Sequence, residues 1–290
     1  MRQANRSGPF FLVPALLIVA FVLIFPVMQT IILSFGRNST SIFTGYEFNG
    51  LANYEQLLNT SRFITSLTNT VIFTAVTVPA ELVIGIGLAL ILNRSFKGKG
   101  IVRMAVLFPW ALPTALNALM WRWMFNTEFG LFNYALTDIG LLSERVNWLG
   151  SIPMAMYAMM LVSIWKTSSF VALLLLAGLQ AIPDDLYEAG RVDGTNRWTE
   201  FRHLTLPLLR PAIMVALLLR TMDAMRAFEL PFNLTDGGPL TSTETLSLYS
   251  YRLIFQYVDF NMGSSAIIIQ FMIIMAISLV YIFTLRRDDV

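Results

Sequence analysis

The sequence predicts an all-α membrane protein of six transmembrane helices, with a short helix pair on one membrane face. Three observations predict it. Hydrophobic residues make up 56% of the 290 residues and charged ones only 13%, where a globular domain carries about a quarter. The apolar residues gather into six long runs. Between the fourth and fifth runs, a segment opens on proline and acids and closes on glycine.

The runs are Phe10 to Ser34, Leu67 to Leu92, Met104 to Trp121, Pro153 to Ala181, Pro211 to Phe232 and Gly263 to Leu285. Each reaches the roughly 18 to 20 residues that a helix needs to cross about 30 Å of hydrocarbon. The first, third and last contain no charged residue. Unbroken runs of this length satisfy their own backbone groups as helices, unlike the alternating strands of a barrel. Arg2 and Arg6 precede the first run as in a signal peptide, but the run is too long for a cleavable apolar region and is read as an uncleaved span.

In the second run, Glu81 follows Pro79 and reads as a buried, hydrogen-bonded structural group rather than a proton carrier. Gly85 and Gly87 permit close helix approach. The third run carries Pro109 and Pro113, which bend it upstream of Asn117 and Trp121. These last two lie four apart on one face, where they either pack between helices or line a pathway. The fourth run is interrupted midway by Ser163, Trp165, Lys166, Thr167, Ser168 and Ser169, hydrogen-bonding groups beside an aromatic face of the kind a sugar requires.

The fifth run holds Arg220, Asp223, Arg226 and Glu229, although each charge in hydrocarbon costs at least about 2.5 kcal/mol. Spaced three apart, neighbours meet while the ends of the series diverge, so the four cannot all face one ligand. Either Asp223 pairs with Arg220 or Arg226 to position the helix or a gate, or at least one of the four contacts substrate.

A cytoplasmic N-terminus puts Arg2, Arg6, Arg94, Lys97, Lys99, Arg103, Arg191, Arg197, Arg202, Arg286 and Arg287 inside, against Arg37, Arg62, Arg145 and Arg252 outside. This positive-inside bias fixes both termini in the cytoplasm. The basic loop from Arg94 to Arg103 is then a topology determinant touching headgroups, and no nucleic-acid partner is expected. There is no cysteine, which excludes disulfides and thiolate chemistry, and the lone His203 belongs to the surface of the inner loop. No phosphate-binding G-x-x-x-x-G-K-[ST] motif is present, so any nucleotide is bound by another protein.

The inner segment from Ile182 to Gly194 reads as a short helix. Asp184 and Asp185 favour its start and Gly194 can take the left-handed conformation that ends it. Thr195 or Asn196 can cap a second helix, whose Trp198, Phe201 and Leu204 make an apolar stripe before Pro207 and Pro211 open the fifth span. From these residues alone the pair either rests on its own bundle or inserts into a partner's groove.

Glu188-Ala189-Gly190, Asp193-Gly194, Phe201, Leu204, Leu206-Pro207 and Pro211 resemble the EAA loop, E-A-A-x-x-D-G-A-x-x-x-x-x-F-x-x-I-x-L-P-x-x-x-P, of binding-protein-dependent ABC importer permeases. Gly190 and Thr195 stand where that pattern has alanines, and Leu204 where it has isoleucine. The resemblance implies a type I ABC importer permease fold: one transmembrane domain over residues 1-290, with a coupling loop at 182-211 that docks into a cleft of an ATP-binding subunit. It implies that Glu188, Ala189, Gly190, Asp193 and Gly194 couple to the ATPase. The chain would then be no enzyme and bind no cofactor, ATP and Mg being used by partner subunits. The implied partners are a second permease subunit (MalG-like), two ATP-binding subunits, an extracytoplasmic sugar-binding protein and the sugar.

Leu234-Thr235-Asp236-Gly237-Gly238-Pro239, with Thr245-Leu246 and Tyr249-Ser250-Tyr251, is similar to the MalF-like branch of carbohydrate permeases, which takes up maltose, trehalose and related oligosaccharides. Glycerol-phosphate permeases share much of this pattern. By that resemblance Ser163, Thr167, Phe170, Arg220, Ala224 and Ala227 match substrate-holding positions, although Ala224 and Ala227 offer no polar contact. The substrate pathway is therefore expected among Asn117, Trp121, Ser163, Trp165, Thr167, Phe170, Arg220, Asp223 and Arg226. An ion-coupled secondary sugar transporter, with Glu81 and Asp223 as ion sites, is the alternative from another class, but no internal repeat supports it. A membrane-embedded hydrolase would need a zinc-binding or serine-histidine constellation, and the sequence has neither.

Overall fold

The computed structural model describes residues 8–37, 40–41 and 45–286. Arg2, Arg6 and Arg287, which contribute to the orientation argument, lie outside the described residues. Two compact units divide the chain: residues 1–64 with 249–272, and residues 65–248 with 273–290.

The first run forms α1 (Gly8–Val19), a π turn (Ala20–Ile24) and α2 (Phe25–Ser34). The π turn has a local cause. Pro26 has no N–H to give the carbonyl four residues back, and the Phe25 N–H bonds to Ala20 O, five back. The same arrangement recurs before Pro207, where the Leu206 N–H bonds to Phe201 O.

In the first unit, β1 (Gly36–Arg37) and β2 (Glu47–Phe48) pair antiparallel, and α3 (Ala52–Leu58) follows. The last carbonyls of α2 are satisfied by side chains: Asn53 donates to Ser34 O, Asn261 to Leu33 O and Ser265 to Ser34 O. The Phe63 and Tyr249 rings meet edge to face.

In the second unit, α4 (Ser61–Asn93), α8 (Met154–Gln180) and α11 (Leu206–Met225) supply the long packed helices. Close approach is set by glycine at two crossings. A Cβ on Gly85 would sit 2.5 Å from Val171, and one on Gly178 would sit 2.6 Å from Ala212. Gly87 has nothing within 4 Å, so of the two glycines predicted to allow packing in α4 only Gly85 does so.

The third run is broken. α5 (Lys99–Ala111) and α6 (Thr114–Met124) meet at 96°. Pro113 causes the break, since a residue before proline is forced out of the helical region, and Leu112 is extended with ψ 133°. Pro109 lies within α5 and does not break it. Among the described residues, five helices are thus long and apolar enough to cross a membrane, or six if this bent pair forms one span.

The predicted fifth span is displaced toward the N-terminus. Helical structure runs unbroken from α10 (Arg197–Glu200) through the π turn Phe201–Thr205 into α11, so the second helix of the expected pair is the start of that span. α11 ends at Met225, and Glu229 belongs to a separate short helix, α12 (Glu229–Leu234). The remaining elements are α7 (Leu131–Asp138), α9 (Asp184–Val192), α13 (Leu246–Phe255) and α14 (Phe260–Arg286).

Candidate functional site: a charged cavity and a surface loop

A cavity of about 340 Å³ opens among α4, α6, α8, α11 and α12. Helical spacing explains its lining. On α8, Ser163, Lys166 and Thr167 stand three and four apart and share a face, as do Arg220, Asp223 and Ala224 on α11. α6 adds Thr114 and Asn117, and the joint after α11 adds Arg226, Ala227 and Phe228 before Glu229.

The cations of this wall are already engaged. Arg220 Nε donates to Glu81 Oε2 at 2.8 Å and its Nη1 to Asp223 Oδ2 at 2.9 Å. Arg226 Nη2 reaches Asp223 Oδ1 at 3.3 Å. Glu81 is fully buried and accepts a second bond from Ser163 Oγ at 3.0 Å. Lys166 Nζ donates to Leu112 O at 2.7 Å and Trp110 O at 3.2 Å, the carbonyls that the break at Pro113 leaves without helical partners. Burying Lys166 and Arg220 in a membrane helix bundle is tolerable because each has an anion or carbonyl within reach, while Arg226 remains exposed.

Asn117 behaves differently. It is 1% exposed, yet neither its Nδ2 nor its Oδ1 has a partner among the described residues. A buried amide left in that state costs about 1–3 kcal/mol, and Asn117 is among the residues that line the cavity.

Of the residues predicted to form the pathway, Asn117, Ser163, Thr167, Arg220, Asp223 and Arg226 meet in this cavity. Trp121 and Trp165 do not line it; they pack edge to face on each other at 5.3 Å, and Trp121 also meets the tilted rings of Phe125 and Phe132. Phe170 lies stacked on Trp110 at 5.6 Å. Both pairings weighed for Asp223 occur together. The sequence reading missed Glu81 as the partner of Arg220. The two are 139 residues apart, and the only available signal was that each is a charge within an apolar run. Lys166 was noted only as part of a polar interruption.

The inner loop forms as its capping residues dictate. α9 starts after extended Pro183 with Asp184 and Asp185 in its first turn. It ends in a paired backbone closure, with Thr195 N–H to Gly190 O and Gly194 N–H to Arg191 O, and Gly194 takes φ +75°. Asn196 then caps α10, accepting from the Trp198 and Thr199 N–H groups.

Glu188, Ala189, Asp193 and Gly194 are exposed and Gly190 is half-buried. Val192 and Trp198 project outward at 87% and 67% exposure, and Trp198 meets Phe201 of the expected apolar stripe with ring centroids 5.9 Å apart. The inner side is tied down by buried Ile182 and by Tyr187, whose hydroxyl approaches Thr205 Oγ1 at 3.4 Å. His203 is exposed. Among the described residues, no three His, Cys, Asp or Glu side chains are grouped to hold a metal.

Spanning helices that enclose a charged cavity, joined to an outward-facing helix pair, define a membrane transport component. Residues 81–287 match the family described as the binding-protein-dependent transport system inner membrane component, and the chain belongs to that family. It is 42% identical to the trehalose/maltose transport system permease protein MalF of Thermococcus litoralis, covering 98% of this chain and 95% of the relative. It is 39% identical to the sulfoquinovosyl glycerol transport system permease protein SmoG of Agrobacterium fabrum, covering 96% and 90%. The trehalose transport system permease protein SugA of Mycobacterium tuberculosis is 35% identical, over 97% and 89%. The fold matches a chain of a bacterial alginate ABC transporter solved with an alginate pentasaccharide-bound periplasmic protein, at a TM-score of 0.86 and 24% identity over 98% of this chain and 96% of that one.

Proposed function

We propose that the chain is one of two membrane subunits of an ATP-driven importer for an uncharged di- or oligosaccharide. The observation that carries this reading is the cavity wall, where Lys166, Arg220 and Arg226 are all engaged by carboxylates or carbonyls while the Asn117 amide is free. Such a wall offers hydrogen bonds to hydroxyls, and its two buried cations, Lys166 and Arg220, are already held, which favours a neutral sugar over a glycerol phosphate. Sequence similarity to trehalose/maltose permeases supports the same substrate class.

The exposed α9–α10 pair docks an ATP-binding subunit, with Glu188, Ala189, Gly190, Asp193 and Gly194 at the contact. A second permease subunit completes the pathway, two ATPase subunits use ATP and Mg, and an extracytoplasmic protein delivers the sugar. The subunit sits in the cytoplasmic membrane with both termini inside. ATP hydrolysis by the assembled transporter in proteoliposomes tests this. Stimulation by the binding protein loaded with a neutral disaccharide is expected; stimulation by an acidic sugar alone, or by none, overturns it.

A further inference from the structure

One side chain, Lys166, holds the cavity wall to the helix that leads into the docking loop. α8 is a single helix of 27 residues. At its lower end only Ala181, Ile182 and Pro183 separate it from α9, so α8 and the docking helix are joined by a three-residue link. Midway along it, Lys166 holds Trp110 O and Leu112 O at the α5–α6 elbow, and Phe170, one turn on, stacks on the Trp110 ring. α6 leaves that elbow at 96° and one turn later presents Asn117 to the cavity. The elbow interrupts the helical ladder, because Pro113 lacks an N–H and Leu112 is extended, and Pro113 O is taken up again by the Asn117 N–H at 2.9 Å.

We propose that Lys166 is a positioning residue that ties the α5–α6 elbow to α8, so that the wall bearing Thr114 and Asn117 moves with the docking helix. A buried ammonium on two carbonyls is directional and resists sliding, whereas the Trp110–Phe170 stack alone tolerates it. The inference rests on the proposed function for its coupling to ATP, but the mechanical tie can be measured separately.

The test compares Lys166→Met, which keeps the stem and removes the donors, with Lys166→Arg, which keeps donors and charge. The chain has no cysteine, so spin labels can be placed at exposed Leu116 on α6 and exposed Leu161 on α8 of the complete transporter. With Lys166 present, the label distance is expected to hold between the ATP-free and ATP-bound states. In Lys166→Met it is expected to change by more than about 2 Å, the scale of a helix shift. Sugar moved per ATP hydrolysed is expected to fall at least fivefold in Lys166→Met and to return to within twofold in Lys166→Arg.

An unchanged distance and unchanged sugar-to-ATP ratio in Lys166→Met overturn the proposal. So does a Lys166→Arg variant as uncoupled as Lys166→Met. If the unsubstituted transporter shows no ATP-driven uptake, the functional reading fails, while the label distances still decide whether Lys166 fixes the elbow.

Discussion

Replacing Arg220 by methionine is expected to destabilise the second unit more than neutralising both ends of its ion pair. The Arg220 and Glu81 side chains are 6% and 0% exposed and 2.8 Å apart. At an effective dielectric of about 20, unit charges about 4 Å apart attract by about 4 kcal/mol. Arg220→Met removes that attraction and leaves the Glu81 carboxylate buried with the Ser163 hydroxyl as its remaining donor. Asp223 loses less, being 60% exposed and still paired with Arg226. Breaking a buried pair from one side costs about 3–5 kcal/mol. In a chain of this size that lowers the midpoint of thermal unfolding by on the order of 10 °C.

Glu81→Gln keeps the shape and one oxygen to accept from Arg220, while its NH2 can donate to the Ser163 hydroxyl, so its cost is smaller. The double variant Glu81→Gln/Arg220→Met buries no net charge and recovers at least half of the Arg220→Met loss. The assay is the fraction of purified protein that stays monodisperse in detergent after a fixed heating time. Because unfolding in detergent is irreversible, variants are compared at one heating time. A double variant that retains no more monodisperse protein than Arg220→Met alone would refute the reasoning, because losses at independent sites accumulate.

Asn117→Leu removes an amide that has no partner, so thermal stability should hold or rise while sugar affinity in uptake assays falls roughly tenfold, the worth of about 1.4 kcal/mol. Gly85→Val places methyls against Val171 and should lower the unfolding temperature by the equivalent of at least about 1–3 kcal/mol, whereas Gly87→Ala, in open space, should leave it unchanged or raise it slightly. Gly194→Pro cannot adopt φ +75°, so sugar-stimulated ATP hydrolysis should be lost while membrane insertion, read by immunoblot of membrane fractions, is retained.

The fold was legible wherever a single run of sequence decides the outcome. Five helices long enough to span follow from length and hydropathy, and the closure of α9 at Gly194 and the cap at Asn196 follow from residue type at a given offset. Prolines were harder to place. Pro109 and Pro113 both promised a bend, but only Pro113, preceded by a residue free to extend, gave a right-angled break. The unbroken helix from Arg197 to Met225 accommodates Pro207 through a π turn that propensity alone does not announce, and carries Pro211 within α11.

The site was legible as a set of charges and not as a set of pairs. Which carboxylate meets Arg220 depends on how α4 packs against α11, and which donor fills the elbow depends on where α8 crosses it. The aromatic residues misled for the same reason. Trp121, Trp165 and Phe170 have the surface a sugar would stack on, but other aromatic rings take it first.

Sugar accumulation into proteoliposomes holding the complete transporter, with ATP on the cytoplasmic side and no ion gradient, tests the central claim most directly. Accumulation of a neutral disaccharide that requires ATP and the binding protein, and disappears with Gly194→Pro, is the predicted result. Accumulation that follows a proton or sodium gradient, ignores ATP and survives Gly194→Pro would contradict it, and would return Glu81 and Asp223 to consideration as ion sites.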